Sequence, residues 1–434
     1  MVRHVTPTAA PPNATDLRVA VERLRNSARN TLRSRAVDDI LAVLDRVIGS
    51  WLEPEYPLRR IAERDLPAVT GFSVEMIRHG LPRLLAPWRG DSLHALLDAE
   101  LGGRAVLDGV HGGRRAYGPE LIAHVLAGNI PGMVIGPVCL SLAIKAAVVV
   151  KPAAGDPLFP SLFAQSINEA DPELGRCILV MPWRGGDRAI EDVVFRSADL
   201  VVASGSDAAI AAIKSRVPGR FIGHGHRISF AAIARESPSG ATAARELARR
   251  LAYDVCLWDQ QGCLSPQLCY LESGAVVSAA DFAQMLAAAL AACELPPHAL
   301  TLEEKAAVLR LRQEAEWRNG CQLIASPGSS DWTVTLEPDT TFLPSCLNRF
   351  IRVKVIADLS QLPLVLRPHR RVLEAVGLAA PAARYGQLAE LLAACGAHRI
   401  CTLGTMQEPP LAWRQGGRPR VADWVEWAGV ETAG

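Results

Sequence analysis

No stretch of this 434-residue chain holds the roughly 18 consecutive apolar residues that a membrane-spanning helix needs, so no transmembrane segment is expected. Residues 1–16 lack the apolar core of a secretory signal, and the cytoplasm is the expected location. Excess charge is missing as well: 46 basic and 45 acidic residues leave a formal net charge of +1. That balance gives no electrostatic reason to expect nucleic acid or an anionic membrane surface as a partner. Paired cysteine spacing is absent. Ten cysteines are scattered through segments that read as strands and helices, which argues against a zinc ribbon or a disulfide framework and for small buried hydrophobes in a reducing compartment. His224 and His226 flank a glycine with no acid or cysteine near them in sequence. Two ligands do not make a zinc site, so loop packing or hydrogen bonding is the expectation and no metal is called for. Lysine is scarce, with five against 41 arginines.

What is present points to a large α/β protein. The length exceeds that of a usual single core. Residues 1–15 are rich in Pro, Ala and Thr and are expected to be disordered. From 15 to about 101, apolar residues such as Ile40, Val43, Leu44, Val47 and Ile48 recur at three and four positions, the mark of amphipathic helices. Residues 105–117, around His111-Gly112-Gly113, read as a β-hairpin. Strands are then expected at 122–127, 147–151, 177–181, 200–203 and 220–223. Helices at 131–146, 160–170, 190–197 and 207–217 alternate with them. Continuous apolar strands separated by helices imply a doubly wound parallel sheet, with ligands at the carboxyl ends of its strands. A second α/β lobe follows, with helices at 242–257, 279–292, 302–318 and 385–395 and strands at 268–271, 332–336, 350–357 and 399–402. The expected division is 1–235 (helical region plus the doubly wound sheet), 236–404 (the second lobe, which carries Cys263) and 405–434, a tail that packs back on the body.

Cys263 stands apart from the other cysteines. It lies in Asp259-Gln260-Gln261-Gly262-Cys263-Leu264-Ser265-Pro266, where a glycine allows close backbone approach and a proline limits the turn, and it is the candidate nucleophile. Asn129, in Gly128-Asn129-Ile130-Pro131-Gly132, is either an ordinary helix cap or an oxyanion-hole amide, the latter worth roughly 3 kcal/mol. Lys151 at a strand end is either a solvated charge or a contact to a cofactor's ribose or phosphate. Gly205 and Ser206 open a helix whose free N–H groups suit a pyrophosphate, although Ser206 or Asp207 also serves as a cap. Gly225 lies in Gly223-His224-Gly225-His226, which lacks a third glycine.

Taken in order, these pieces resemble the aldehyde dehydrogenase superfamily, and within it the acyl-CoA reductases of the LuxC type. The resemblance rests on Gly128-Asn129-Ile130-Pro131, Val150-Lys151-Pro152, Ser204-Gly205-Ser206, the stretch from Gly223 to Phe230, the cysteine loop, and Gly404-Thr405-Met406-Gln407 through Gly416-Gly417-Arg418-Pro419. It implies an aldehyde dehydrogenase-like fold with a nucleotide domain, a catalytic lobe and a hairpin that helps subunits pair, hence a homo-oligomer. It also implies a thioester intermediate on Cys263, an oxyanion amide at Asn129 and cofactor contacts at Lys151, Gly205, Ser206 and Gly225.

Three departures shape the expected chemistry. The Glu-Leu-Gly-Gly segment that supplies aldehyde-oxidising relatives with a general base is here Gly223-His224-Gly225-His226, so hydrolysis of an acyl-enzyme lacks its base. Where relatives that favour NAD carry a ribose-binding glutamate, this chain has Ala154, which favours NADPH over NADH. The Glu-x-Phe ribose contact is not recognisable around residues 345–350. The implied activity is reduction of an acyl-CoA or acyl carrier protein thioester to the aldehyde, with His226 or His224 as proton donor. An acyltransferase using the same acyl-cysteine and a catalytically inactive interaction subunit are the competing readings.

Overall fold

The computed structural model describes residues 14–431. The stretch expected to be disordered lies outside the described residues except for its last two, which open the helix Ala14–Ser27. The chain divides into two compact units. One comprises Met1–Ala62, Leu85–Gly225 and Pro419–Gly434; the other comprises Glu63–Leu84 and His226–Arg418.

In the first unit, helices Ala14–Ser27, Val37–Leu52 and Gly90–Leu101 bear out the periodicity read from 15 to 101. The expected hairpin at 105–117 does not form. A 3-10 turn occupies Arg104–Leu107, and Gly112 and Gly113, with φ of 58° and 71°, reverse the chain between His111 and Arg114. The strand β1 (Arg114–Tyr117) that leaves this turn finds its partner elsewhere, as given below. The sheet of this unit consists of β2 (Leu121–Val125), β3 (Ala147–Lys151), β4 (Ile178–Val180), β5 (Leu200–Ser204) and β6 (Arg220–His224). All pairings are parallel, in the order β4-β3-β2-β5-β6. Every residue of β2 is buried, and so are Val148, Val149 and Val150 of β3, because helices cover both faces. Burial of each such valine stabilises the unit by roughly 1.5–3 kcal/mol. The chain runs outward from β2 through β3 to β4, then returns across the sheet to β5. This reversal makes the carboxyl ends of β2 and β5 the topological switch point, where open α/β sheets bind ligands.

The second unit holds β7 (Ile228–Ile233), β8 (Pro266–Glu272), β9 (Gln322–Ala325), β10 (Thr333–Glu337), β11 (Phe350–Ile356), β12 (Leu373–Ala379) and β13 (Arg399–Cys401). Their order is β13-β12-β7-β8-β11-β10-β9, parallel except for the β9–β10 pair. Helices Ala241–Cys256 and Ala279–Ala291 bury Leu251, Val255, Phe282 and Leu286 against one face, while Leu362, Leu388 and Leu392 close the other. The strands β7, β9 and β12 were not foreseen. β7 follows directly on a histidine-glycine turn, and β12 on a short, arginine-rich segment without periodicity. Inside this unit Lys354 is fully buried and pairs with Glu337 at 2.7 Å, with Arg352 on the same carboxylate. A strand-borne lysine in this chain can thus be purely structural.

The tail is more ordered than its composition suggested. Glu100 accepts backbone N–H groups from Arg420, Val421 and Ala422 at 2.8, 2.7 and 3.1 Å. Beyond them β14 (Glu426–Gly429) pairs antiparallel with β1, both in the first unit.

Candidate functional site

In the first unit, the sequence-derived residues gather at the carboxyl ends of the parallel strands. Asn129 follows β2, Lys151 ends β3, Gly205 and Ser206 follow β5, and Gly225 follows β6. Asn129 is not a helix cap. The helix expected from 131 begins only at Ile135, behind Val134, because Gly132 with φ of 84° turns the chain first. The loop that carries Asn129 packs backbone against backbone on the loop after β3. A Cβ on Gly128 would lie 2.6 Å from that of Ala153, and one on Gly155 would lie 2.6 Å from the Gly128 carbonyl oxygen. Asp156 joins the two loops, since its buried carboxylate accepts the backbone N–H groups of Gly132 and Phe159, the latter at 3.0 Å. Burial pushes this carboxyl up to about 6. Sequence reading missed Asp156; its position three residues before a helix-opening Phe-Pro was the only available cue.

Gly205 donates its N–H to the His224 carbonyl at 3.1 Å, and Ser206 caps the helix Asp207–Lys214 by accepting the Ala209 N–H at 3.2 Å. A side chain on Gly225 would displace the Asp207 carboxylate, whose Oδ1 would lie 2.3 Å from an added Cβ. The Lys151 ammonium lies 5.7 Å from the Trp183 ring centroid and forms no ion pair among the described residues. Burial lowers its pKa, with Glu191 opposing. In this Lys151 differs from Lys354, whose charge is taken up by a carboxylate.

The second unit builds the setting of Cys263. Between the helix Ala241–Cys256 and β8, three consecutive non-glycine residues, Trp258, Asp259 and Gln260, have φ of 58°, 49° and 63°. Leu347, Asn348 and Arg349 repeat the pattern at 63°, 56° and 58°. Left-handed backbone costs roughly 1–2 kcal/mol per residue, so it persists only where surroundings enforce it. The enforcement is mutual. Asn348 donates its N–H to the Asp259 carbonyl at 3.2 Å, and Gln261 Nε2 donates to Asn348 Oδ1 at 2.8 Å. The Arg349 guanidinium pairs with Asp259 Oδ1 at 2.5 Å, while His298 N–H donates to Asp259 Oδ2 at 3.1 Å. Gln260 Nε2 reaches the carbonyls of Pro266 and Phe350 at 2.8 and 3.1 Å. Asp259 and Arg349 are 0% and 2% exposed, which makes this clamp a buried ion pair with its hydrogen bonds filled. Trp258 anchors the turn from below: a Cβ on Gly80 would enter its ring, and Phe72 meets it edge-on at 5.3 Å.

After this turn, Gly262 admits Gln407, whose Oε1 would lie 2.5 Å from an added Cβ; Gln407 Nε2 in turn donates to the Asp254 carbonyl at 2.9 Å. The Cys263 carbonyl accepts the Ser229 hydroxyl at 2.7 Å, and Ser229 Oγ accepts the Ala375 N–H at 3.0 Å. Ser229 therefore positions the cysteine from the neighbouring strand. Cys263 is partly exposed. Burial of its thiol pushes the pKa up to about 12, with Glu374 acting in the same direction and Arg227 against it. Glu374 is the carboxylate that sequence reading did not find. It is 1% exposed and sits on β12, accepting the Gly416 N–H at 2.9 Å and lying 3.5 Å from both Arg227 Nε and His398 Nδ1.

The raised thiol pKa has a checkable consequence. Alkylation of Cys263 should accelerate about tenfold per pH unit to beyond pH 9.5, whereas an ordinary cysteine levels off near pH 9. Mass-spectrometric rates for the Cys263 peptide in the free protein measure this, and a plateau below pH 8 would contradict it.

Residues 32–417 match the family model described as acyl-CoA reductase (LuxC). The chain belongs to the LuxC acyl-CoA reductase family. It is thus an acyl reductase of the oxidoreductase class. Among curated proteins it is similar to long-chain acyl-protein thioester reductase 2 of Photobacterium leiognathi, 26% identical over 85% of this chain and 77% of that one. It is also similar to the long-chain acyl-protein thioester reductase of Photorhabdus luminescens, 30% identical over 54% of this chain and 49% of that one. Solved structures with the same fold include an oxidoreductase from Marinobacter aquaeolei, with a TM-score of 0.76, 15% identity and coverage of 97% and 91% of the two chains. Another is the C291A variant of aldehyde dehydrogenase C from Pseudomonas syringae, complexed with NAD+ and octanal, with a TM-score of 0.75, 14% identity and coverage of 97% and 90%. The fold is that of the aldehyde dehydrogenases. No helix among the described residues is long and apolar enough to cross a membrane.

Proposed function

We propose that the protein reduces an acyl thioester, delivered as acyl-CoA or on an acyl carrier protein, to the aldehyde through an acyl group held on Cys263, with NADPH as reductant. The observation that carries this reading is the doubly left-handed clamp around Cys263. Asp259, Arg349 and Gln260 fix a strained turn, and Ser229 holds the cysteine carbonyl, an investment expected where a nucleophile must be held in one geometry. The thiol gives up its proton as the Cys263 sulfur attacks the thioester carbonyl and the carrier thiol departs with a proton. Asn129 and the Cys263 N–H are the proposed oxyanion donors. NADPH, when bound, supplies the hydride that reduces the acyl carbonyl.

The residues present fit such a cofactor. Gly205 and Ser206 leave a helix N-terminus open at a strand end, Gly225 keeps the approach clear, and Lys151 offers a cation not committed to an ion pair. Ala154 leaves a 2′-phosphate unrepelled, which supports NADPH over NADH. Glu374 is a poor substitute for the missing water-activating base, because one carboxylate oxygen accepts the Gly416 N–H and the other, though without a hydrogen bond, is the counter-charge of Arg227 at 3.5 Å. That supports reduction rather than hydrolysis of the acyl-enzyme. His226 or His224 is the proposed final proton donor, and assembly as a homo-oligomer in the cytoplasm completes the reading.

Lys151→Met should raise KM for NADPH about tenfold or more while leaving acyl transfer to Cys263 intact, since one charge-assisted contact to phosphate or ribose is worth roughly 1.5–3 kcal/mol. Steady-state kinetics with each nucleotide tests this. An unchanged KM for NADPH removes Lys151 from the cofactor site. Consumption of acyl-CoA without oxidation of NADPH would move the whole reading to acyl transfer.

A further inference from the structure

Two thiols outside the proposed chemistry lie side by side beneath the cysteine loop. Cys256 is the last residue of the helix Ala241–Cys256, one residue before the turn that carries Asp259. Cys293 follows the helix Ala279–Ala291, its N–H bonded to the Leu290 carbonyl at 3.3 Å. Their side chains are hydrogen-bonded to one another and share one apolar cluster with Leu251, Val255 and Phe282. Both are free thiols, Cys256 fully buried and Cys293 partly exposed.

The two cysteines also sit at the roots of the two segments that build the clamp. Cys256 leads into Trp258–Gln260. Cys293 leads into the segment whose Leu295 carbonyl accepts Arg349 NH2 at 2.8 Å and whose His298 N–H binds Asp259. We propose that Cys256 and Cys293 are a redox-active dithiol, oxidised to a disulfide by small disulfides or peroxides, and that its closure restrains the Cys263 loop.

The division of labour follows from the surroundings. The hydrogen bond from Cys256, the Leu295 N–H and the nearby Arg349 guanidinium favour the thiolate of Cys293, while the same hydrogen bond and burial keep Cys256 protonated. With oxidised glutathione, the partly exposed Cys293 thiolate attacks one sulfur and releases one glutathione thiolate. Cys256 then gives up its proton, attacks the Cys293 sulfur and releases the second glutathione. Two protein thiols are oxidised and one glutathione disulfide is reduced to two thiols. Bonded sulfurs stand about 2.05 Å apart, well inside hydrogen-bond separation, so closure draws the end of one helix toward the other and moves the loop root within a close-packed core.

The test uses the full chain, reduced and then exposed to oxidised glutathione, with alkylation, peptide mapping and a separate rate measurement for Cys263 labelling. A Cys256–Cys293 cross-linked peptide with a mass loss of about 2 Da is expected, together with Cys263 labelling slowed about threefold or more and restored by dithiothreitol. Cys293→Ser should abolish both effects, and Cys256→Ala should leave a stable glutathione adduct on Cys293. Cross-linking elsewhere, free Cys256 and Cys293 thiols after oxidation, or a cross-link that leaves Cys263 labelling unchanged would overturn the proposal. None of these readouts requires aldehyde formation, so they stand apart from the reductase reading.

Discussion

Cys263→Ala should abolish aldehyde formation, by roughly 10⁴-fold or more, and should remove the acyl adduct that intact-mass measurement detects when acyl-CoA is offered without NADPH. On the proposed mechanism the effect is this large because the thiol both attacks the thioester and later leaves. The carboxylate of Glu374, which acts on this thiol, accepts the Gly416 N–H and lies 3.5 Å from the Arg227 guanidinium, and the hydroxyl of Ser229 is engaged by the Cys263 carbonyl and the Ala375 amide. Cys269→Ala serves as the control. That cysteine is fully buried in β8, and burial alone pushes its thiol above the ordinary range, so the variant should keep the adduct. An adduct that persists in Cys263→Ala, or one that maps to another cysteine, would refute the acyl-cysteine mechanism while leaving the fold assignment untouched.

The second large effect concerns stability. Asp259→Ala strands the Arg349 guanidinium in a site where it is 2% exposed and removes the acceptor of the His298 N–H. Breaking a buried pair by removing one partner costs about 3–5 kcal/mol, and here the two left-handed segments lose their mutual brace as well. Denaturant unfolding should show that loss in the second unit, accompanied by faster and less selective alkylation of Cys263. Exchanging both partners, as in Asp259→Leu with Arg349→Met, should recover stability without recovering Cys263 selectivity, because the apolar pair fills the space but does not hold the turn. A single variant whose unfolding midpoint is unchanged would show that the clamp does not determine the loop.

How much of this was legible in the chain depends on the range of the interaction. Strands β3 and β5, and β2 but for the single His124, were readable because burial on both faces forces a nearly continuous apolar run, and that run is visible without knowing the neighbours. β12 was not, because Leu-Glu-Ala-Val-Gly-Leu-Ala mixes a buried glutamate and a glycine into its run. Its place between β13 and β7 comes from pairing with distant strands. The hairpin at 105–117 was misread for the same reason. The glycine turn was correctly seen, but the partner of β1 lies more than 300 residues away in β14. The role of Asn129 as a cap failed on a local detail, the positive φ of Gly132, which delays the helix to Ile135.

By itself the sequence determined the α/β class, the parallel sheet with its candidate residues at strand ends, and Cys263 as the distinctive cysteine. These follow from short-range patterns of apolar periodicity, glycine and proline. Tertiary structure alone decided what holds Cys263 in place. Asp259 meets Arg349, Ser229 meets the Cys263 carbonyl, Glu374 disfavours the thiolate, and Cys256 meets Cys293. Each of these contacts joins groups from separate segments, and the free energy that enforces them comes from burial, which no single segment of sequence contains.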